Sequence, residues 1–205
     1  MKKVIFTIGH STYSVEFFTR LLKRHNITVV CDVRSSPYSR FNPQFNRETL
    51  KKNLGKFDIK YVFLGKELGA RSSDSTCYVN GQVRYSALAK TDMFRNGIDR
   101  LSLGVDRGYR MALMCAEKDP LDCHRTVLVA RNLESNGFCV SHILNDGSIE
   151  TQDEVTTRLV KQFKLNLNDL FLSSEDMIDK AFLKQELKIA YSEKDNIDQI
   201  AKKAI

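Results

Sequence analysis

The residues best able to do chemistry cluster between Met111 and Arg125, in the stretch MALMCAEKDPLDCHR. Cys115 and Cys123 bracket Glu117, and His124 and Arg125 follow the second thiol directly. Thiolate with imidazole suits zinc, and His10 from elsewhere in the chain would complete a Cys2His2 composition. The spacing speaks against a metal. Structural zinc usually takes cysteine pairs two to four residues apart, and adjacent residues at a helix start are expected to point in different directions. A thiol at a helix N-terminus beside a cation is a better nucleophile at neutral pH, which makes Cys123 a candidate. Cys115, ending an apolar run, reads as a small core residue. The same helix start offers backbone N–H groups to an anion, and Arg125 with Arg34 could grip a phosphate bidentately. Asp32 and Glu117 could bind ribose hydroxyls, orient the arginines, or share acid–base work with His10 or His124. The plain alternative is that Asp32–Arg34 and Glu117–Arg125 are structural ion pairs.

These residues need elements to bring them together, and the hydrophobic pattern supplies them. KKVIFTIG reads as a short buried strand, and Val15, Phe18, Leu21 and Leu22 recur at helical spacing behind a Ser14 cap. ITVVCDVR is a continuous apolar, β-branched run, as expected of a strand covered on both faces. A proline-bearing loop, a helix over 47–54 and a third strand in IKYVFLG follow. Residues 66–86 show no period and read as a long loop; a helix is expected over 87–103. RMALMCAE is the fourth strand, CHRTVLVARNLESNG a helix ended by Gly137, and FCVSHIL the fifth strand. Alternating strands and helices imply an α/β class: an open, mostly parallel, doubly wound Rossmann-like sheet of about five strands. Ligands bind such sheets in the crevice beyond the carboxyl ends of the strands, which is where His10, Ser11, Asp32, Arg34, Cys115 and Glu117 stand. A 1–147 core domain is therefore expected, with a helical extension over 148–205 packed on it, capped at Ser173 or Ser174 and fraying over 196–205.

The charge is unevenly spread. Residues 148–205 hold nine Lys/Arg and eleven Asp/Glu, leaving 23 basic against 14 acidic residues in the first 147. Nine of those cations lie between Arg34 and Arg71, a footprint suited to phosphates or nucleic acid, or else a solvated basic face. Within it PYSRFNPQFN interleaves Tyr38, Phe41 and Phe45 with Ser39, Arg40 and Arg47, the mix used for base stacking and phosphate contact, or for a lid packed on the core. No apolar run approaches the ~18 residues of a membrane span, and no secretory core follows Met-Lys-Lys, so a cytoplasmic location is expected. Five scattered cysteines fit a reducing compartment better than a disulfide framework. Neither a GxxxxGK nor a GxGxxG motif is present, so the sequence names no cofactor.

Four separated segments, TIGHS, DVRSSPYSRFNPQF, LMCAEKDPLDCHR and HILNDGSIE, resemble in order the bacterial and archaeal family known as domain of unknown function 488. The resemblance covers about residues 3–150 and implies an α/β domain without a settled activity. Its motif positions fall on His10, Ser11, Asp32, Arg34, Pro37, Ser39, Phe41, Cys115, Glu117, Cys123, His124 and Arg125. One departure is Ala70 in LGAR, where the family pattern has a second consecutive glycine, and it argues against a close backbone approach to a ligand there. The leading expectation is an enzyme acting on a phosphate-bearing substrate, a nucleotide or nucleic acid. In it His10, Asp32, Glu117, Cys123 and His124 are catalytic, and Ser11, Arg34, Ser39, Arg40 and Arg125 bind the ligand. A non-catalytic nucleic-acid-binding module using the 34–71 face, and a metal- or thiol-dependent enzyme using Cys115, Cys123 and His124, are the alternatives.

Overall fold

A computed structural model describes residues 3–166 and 172–193. The strands of the main sheet are β1 (Lys3–Gly9), β2 (Val29–Asp32), β3 (Lys60–Phe63), β6 (Met111–Cys115), β7 (Phe138–Ile143) and β8 (Ile149–Thr151). Their order is β3-β2-β6-β1-β7-β8, parallel throughout except for β8, so the fold is the mixed α/β, Rossmann-like class read from the sequence. Successive strand residues face opposite layers. Ile5, Cys31 and Leu113 enter one apolar core, while Phe6, Val30 and Ala112 enter the other. Helices α1 (Val15–Arg24) and α2 (Arg47–Gly55) supply the second core with Phe18, Leu22, Leu50 and Leu54. Helix α5 (Asp92–Asp106) and a helix running from Arg125 supply the first.

Because β6 is inserted between β2 and β1, the carboxyl ends of these three strands run side by side. The register places Gly9 opposite Cys115 and Asp32 opposite Met114. Beyond the ladder, His10 and Ser11 donate their backbone N–H groups to Cys115 and Ala116, and Val33 donates to Met114. The polar motifs thus converge by topology.

Local differences from the sequence reading have local causes. The sixth strand, β8, is three residues long and partly polar, and it returns through a turn at Gly147 (φ +79°), so it carries no apolar run. The 66–86 stretch is not structureless. It holds the short helices α3 (Gly65–Leu68) and α4 (Tyr85–Leu88) and a hairpin of β4 (Tyr78–Val79) and β5 (Gln82–Val83). The hairpin turns at Asn80-Gly81, both at positive φ, as a two-residue turn requires. The single helix expected over 87–103 is broken because Thr91 caps a new one, its Oγ accepting from the Phe94 N–H.

The segment from Arg125 to Ala130 is wound as a π-helix and continues into α6 (Arg131–Ser135), which ends before Gly137 at φ +80°. Helix α7 (Gln152–Gln162) opens on a Thr151–Glu154 capping box, and α8 (Ser174–Ile189) on a Ser173–Asp176 box. Val155, Leu159, Ala181 and Phe182 of these helices join the first core. The fraying expected over 196–205 lies outside the described residues. Among the described residues no helix is long and apolar enough to cross a membrane.

Candidate functional site

At the strand ends lies a cavity of about 340 Å3, lined in part by Arg34, Ala70, Arg71, Tyr85, Cys115, Glu117, His124, Ile189 and Tyr191. Its back wall is a set of buried polar groups locked to one another. Asp32, fully buried, accepts from the Arg34 backbone N–H (3.1 Å), Arg34 Nε (2.9 Å), Arg34 Nη2 (2.6 Å) and the Tyr61 hydroxyl (2.7 Å). Arg34 Nη2 also donates to the Phe45 carbonyl at 2.8 Å, and Nη1 donates to His10 Nε2 at 3.0 Å. His10 donates from Nδ1 to the Ser11 carbonyl (2.8 Å) and stacks on Phe45 at 4.3 Å. Burial, aided by the Arg34 charge, lowers its pKa to about 4, so it is a neutral imidazole. Four of the five guanidinium hydrogens of Arg34 are therefore spent inside the chain, leaving one on Nη1.

Arg125 is fully buried. Its Nη1 donates to the Glu117 carbonyl (2.7 Å) and Nη2 to the Lys118 carbonyl (3.3 Å), while Nε has no partner. The guanidinium holds the loop after β6 by its backbone, so of the two ion pairs in the plain alternative Asp32–Arg34 forms and Glu117–Arg125 does not. Nor are the N–H groups of Arg125, Thr126 and Val127 free at this helix start. Arg125 N–H points at Cys123 Sγ (3.4 Å), and the Thr126 and Val127 N–H groups bond the Cys123 carbonyl. The phosphate clamp of Arg34 with Arg125 expected from the sequence is not present in this arrangement. Gly9 is required here, since a Cβ on it would lie 1.9 Å from the Glu117 carbonyl oxygen.

Cys115, Cys123 and His124 form a second buried cluster, all three donor atoms lying within 4.8 Å of one another. His124 Nδ1 is 3.7 Å from Cys115 Sγ and 3.8 Å from Cys123 Sγ, and its Nε2 donates to the Val33 carbonyl at 3.0 Å. The expectation that Cys123 and His124 diverge fails for a conformational reason: Cys123 is still extended (φ −137°, ψ 139°), and only His124 is helical. Within this cluster the thiols part. Burial alone would raise Cys123, but the Cys115 hydrogen bond and the Arg125 and His124 charges bring it well below an ordinary thiol. Cys115 is raised well above by its Cys123 neighbour and by burial. His124 is raised because the hydrogen bond and charge of Cys123 outweigh burial. Glu117 is open to solvent at the cavity, yet the surrounding protein and the Cys123 charge raise its carboxyl.

The residues from Val15 through Asn132, which include most of both clusters, fall within residues 14–132, the span matched by the family model for Domain of unknown function DUF488. The chain belongs to this family. No curated protein and no solved structure matches the chain.

Of the site residues expected from sequence, this DUF488 chain brings Arg34, Glu117 and His124 to the cavity, together with Cys115. His10, Asp32, Cys123 and Arg125 stand buried behind the wall. Ser11, Ser39 and Arg40 do not line it. Ser39 Oγ instead accepts from the Phe41 and Asn42 N–H groups and shapes the loop, while Arg40 is exposed. Gly69, the neighbour of Ala70, is tightly packed within the chain: a Cβ on it would lie 2.3 Å from the Gly65 carbonyl oxygen. Sequence reasoning missed Tyr85, Ile189 and Tyr191 as wall residues. Tyr191 is held by its carbonyl to the Val83 N–H and by its ring to the Arg71 guanidinium, 4.3 Å away. The Asn80-Gly81 turn was the one local signal that a hairpin stood here to receive the tail.

Proposed function

We propose that this DUF488 protein is an enzyme acting on a phosphate-bearing substrate, a nucleotide or nucleic acid, in the strand-end crevice. The observation that carries this reading is that thiol, carboxylate and imidazole groups from the end of β6, the loop after it and the start of the following helix open into the same cavity as Arg71 and Arg34. Arg71, exposed and oriented by Tyr191, and the remaining Nη1 hydrogen of Arg34 supply donors to the phosphate. Glu117, solvent-open, is the group able to take or give a proton. His10 and Asp32 position Arg34, and Arg125 positions the Glu117 loop.

The test is calorimetric titration with ADP and with inorganic pyrophosphate, alongside a turnover screen. Arg71→Ala is expected to weaken binding on the order of tenfold or more, as loss of a charge-assisted hydrogen bond does, and Glu117→Gln to keep binding while losing turnover. Binding unaffected by Arg71→Ala overturns the reading. Tyr38 and Phe41, 69% and 90% exposed beside Arg40, favour one second reading, a module that stacks single-stranded bases. Steeply salt-dependent binding of an oligonucleotide, lost in Phe41→Ala and kept in Arg71→Ala, would select it.

A further inference from the structure

We propose that Cys115, Cys123 and His124 bind one zinc ion whose fourth coordination position opens to the crevice. The proposal rests on the reading above only for the use made of the metal; the binding itself rests on the arrangement of the three side chains. Tetrahedral zinc, with Zn–S about 2.3 Å and Zn–N about 2.0–2.1 Å, sets its donors about 3.5–3.8 Å apart. The two sulfur-to-Nδ1 separations, 3.7 and 3.8 Å, already lie at that spacing. All three donor atoms lie within 4.8 Å of one another, so an ion would draw the set inward to that spacing.

The imidazole is presented correctly for a ligand. Its Nε2–H is held by the Val33 carbonyl, which can only accept, so the Nδ1 lone pair is turned toward the sulfurs. Cys123 Sγ already receives the Arg125 N–H at the helix start, a donor that favours thiolate over thiol. Two thiolates and one imidazole are a soft set that prefers zinc to magnesium or calcium.

Charge closes as well. Arg125 is buried with its guanidinium on two carbonyls and an unpartnered Nε, and no carboxylate pairs with it among the described residues. A dication with two thiolates is neutral, so filling the site adds no net charge beside the buried Arg125 guanidinium. The spacing that argued against a structural zinc does not bear on a site of this kind. Here the ligands come from a strand end and a helix start, and three protein ligands with one open position is the pattern of a catalytic ion. Cys115 and His124 line the cavity, whereas Cys123 is sealed at 1% exposure, so the open position faces the crevice. A water or a substrate oxygen would take it.

The full chain, purified under reductant, is analysed for metal by inductively coupled plasma mass spectrometry, then stripped and titrated with cobalt(II). One zinc per chain is expected, with a tetrahedral cobalt spectrum bearing a thiolate charge-transfer band that is lost in Cys115→Ser and in Cys123→Ser. Should these variants fail to fold, the wild type decides: its cobalt spectrum must carry the thiolate charge-transfer band at one cobalt per chain and must disappear when one equivalent of zinc is added. Reduced protein that takes up no cobalt, or a cobalt spectrum that survives both substitutions, overturns the proposal. ADP binding measured on the same samples separates the two claims. Binding without metal sinks only the zinc site, and metal without binding sinks only the phosphate-substrate reading.

Discussion

Asp32 is the residue whose removal best tests whether the buried Arg34 charge is held by its ion pair. Its carboxylate takes three hydrogen bonds from Arg34 and one from Tyr61, with neither member of the ion pair meaningfully exposed. In Asp32→Ala the guanidinium stays buried with only the Phe45 carbonyl and neutral His10 to accept from it. Breaking a buried pair in this way costs about 3–5 kcal/mol, a large part of a domain's total stability. At roughly 2–4 °C per kcal/mol for a chain of this size, the melting midpoint should fall by roughly 6–20 °C. Arg34→Met in the Asp32→Ala background removes the stranded charge, so the double variant should be more stable than Asp32→Ala alone. Urea unfolding of the wild type, both singles and the double, with the slope checked for constancy, gives the cycle. A loss under about 1 kcal/mol in Asp32→Ala, or a double variant no better than that single, would refute the reading of Arg34 as a buried charge held by Asp32.

Two further outcomes follow from the wall of the site. Gly9→Ala drives a methyl group into the Glu117 carbonyl and toward Arg125 Nη2, and overpacking of this kind should cost about 1–3 kcal/mol or more in urea unfolding; a neutral effect would show the β6 loop to be loose. His142 accepts from Thr7 Oγ1 (2.7 Å) and donates to Gln152 Oε1 (2.8 Å), and burial lowers its pKa to about 4. The unfolded chain then binds a proton the folded chain refuses, so stability is whole above pH 6.5 and declines as the pH falls toward 4, by about 3 kcal/mol for this group. His142→Gln should flatten that decline in urea midpoints measured across the interval, while His10 keeps its own share.

The fold was legible because its strands are nearly pure apolar runs. VVCD and MALMC are buried at every position, and buried parallel strands announce themselves in no other way. β8 and the β4–β5 hairpin were not legible as strands, since two or three partly polar residues make no period. The meeting of the polar groups was legible at the level of strand ends; their orientation was not. Cys123 and His124 converge because the chain changes from extended to helical between them, a break that a rule written for residues within one helix does not cover. Arg125 is the sharper case. A cation on an opening helical turn looks ligand-facing, but the direction of a guanidinium depends on what room lies behind it. That room is made by Gly9, on another strand, whose missing Cβ lets the Glu117 carbonyl close on β1 and lets Arg125 seal the gap. The glycine in TIGHS was the mark of this arrangement, and it becomes readable only once β1 and β6 are known to be neighbours.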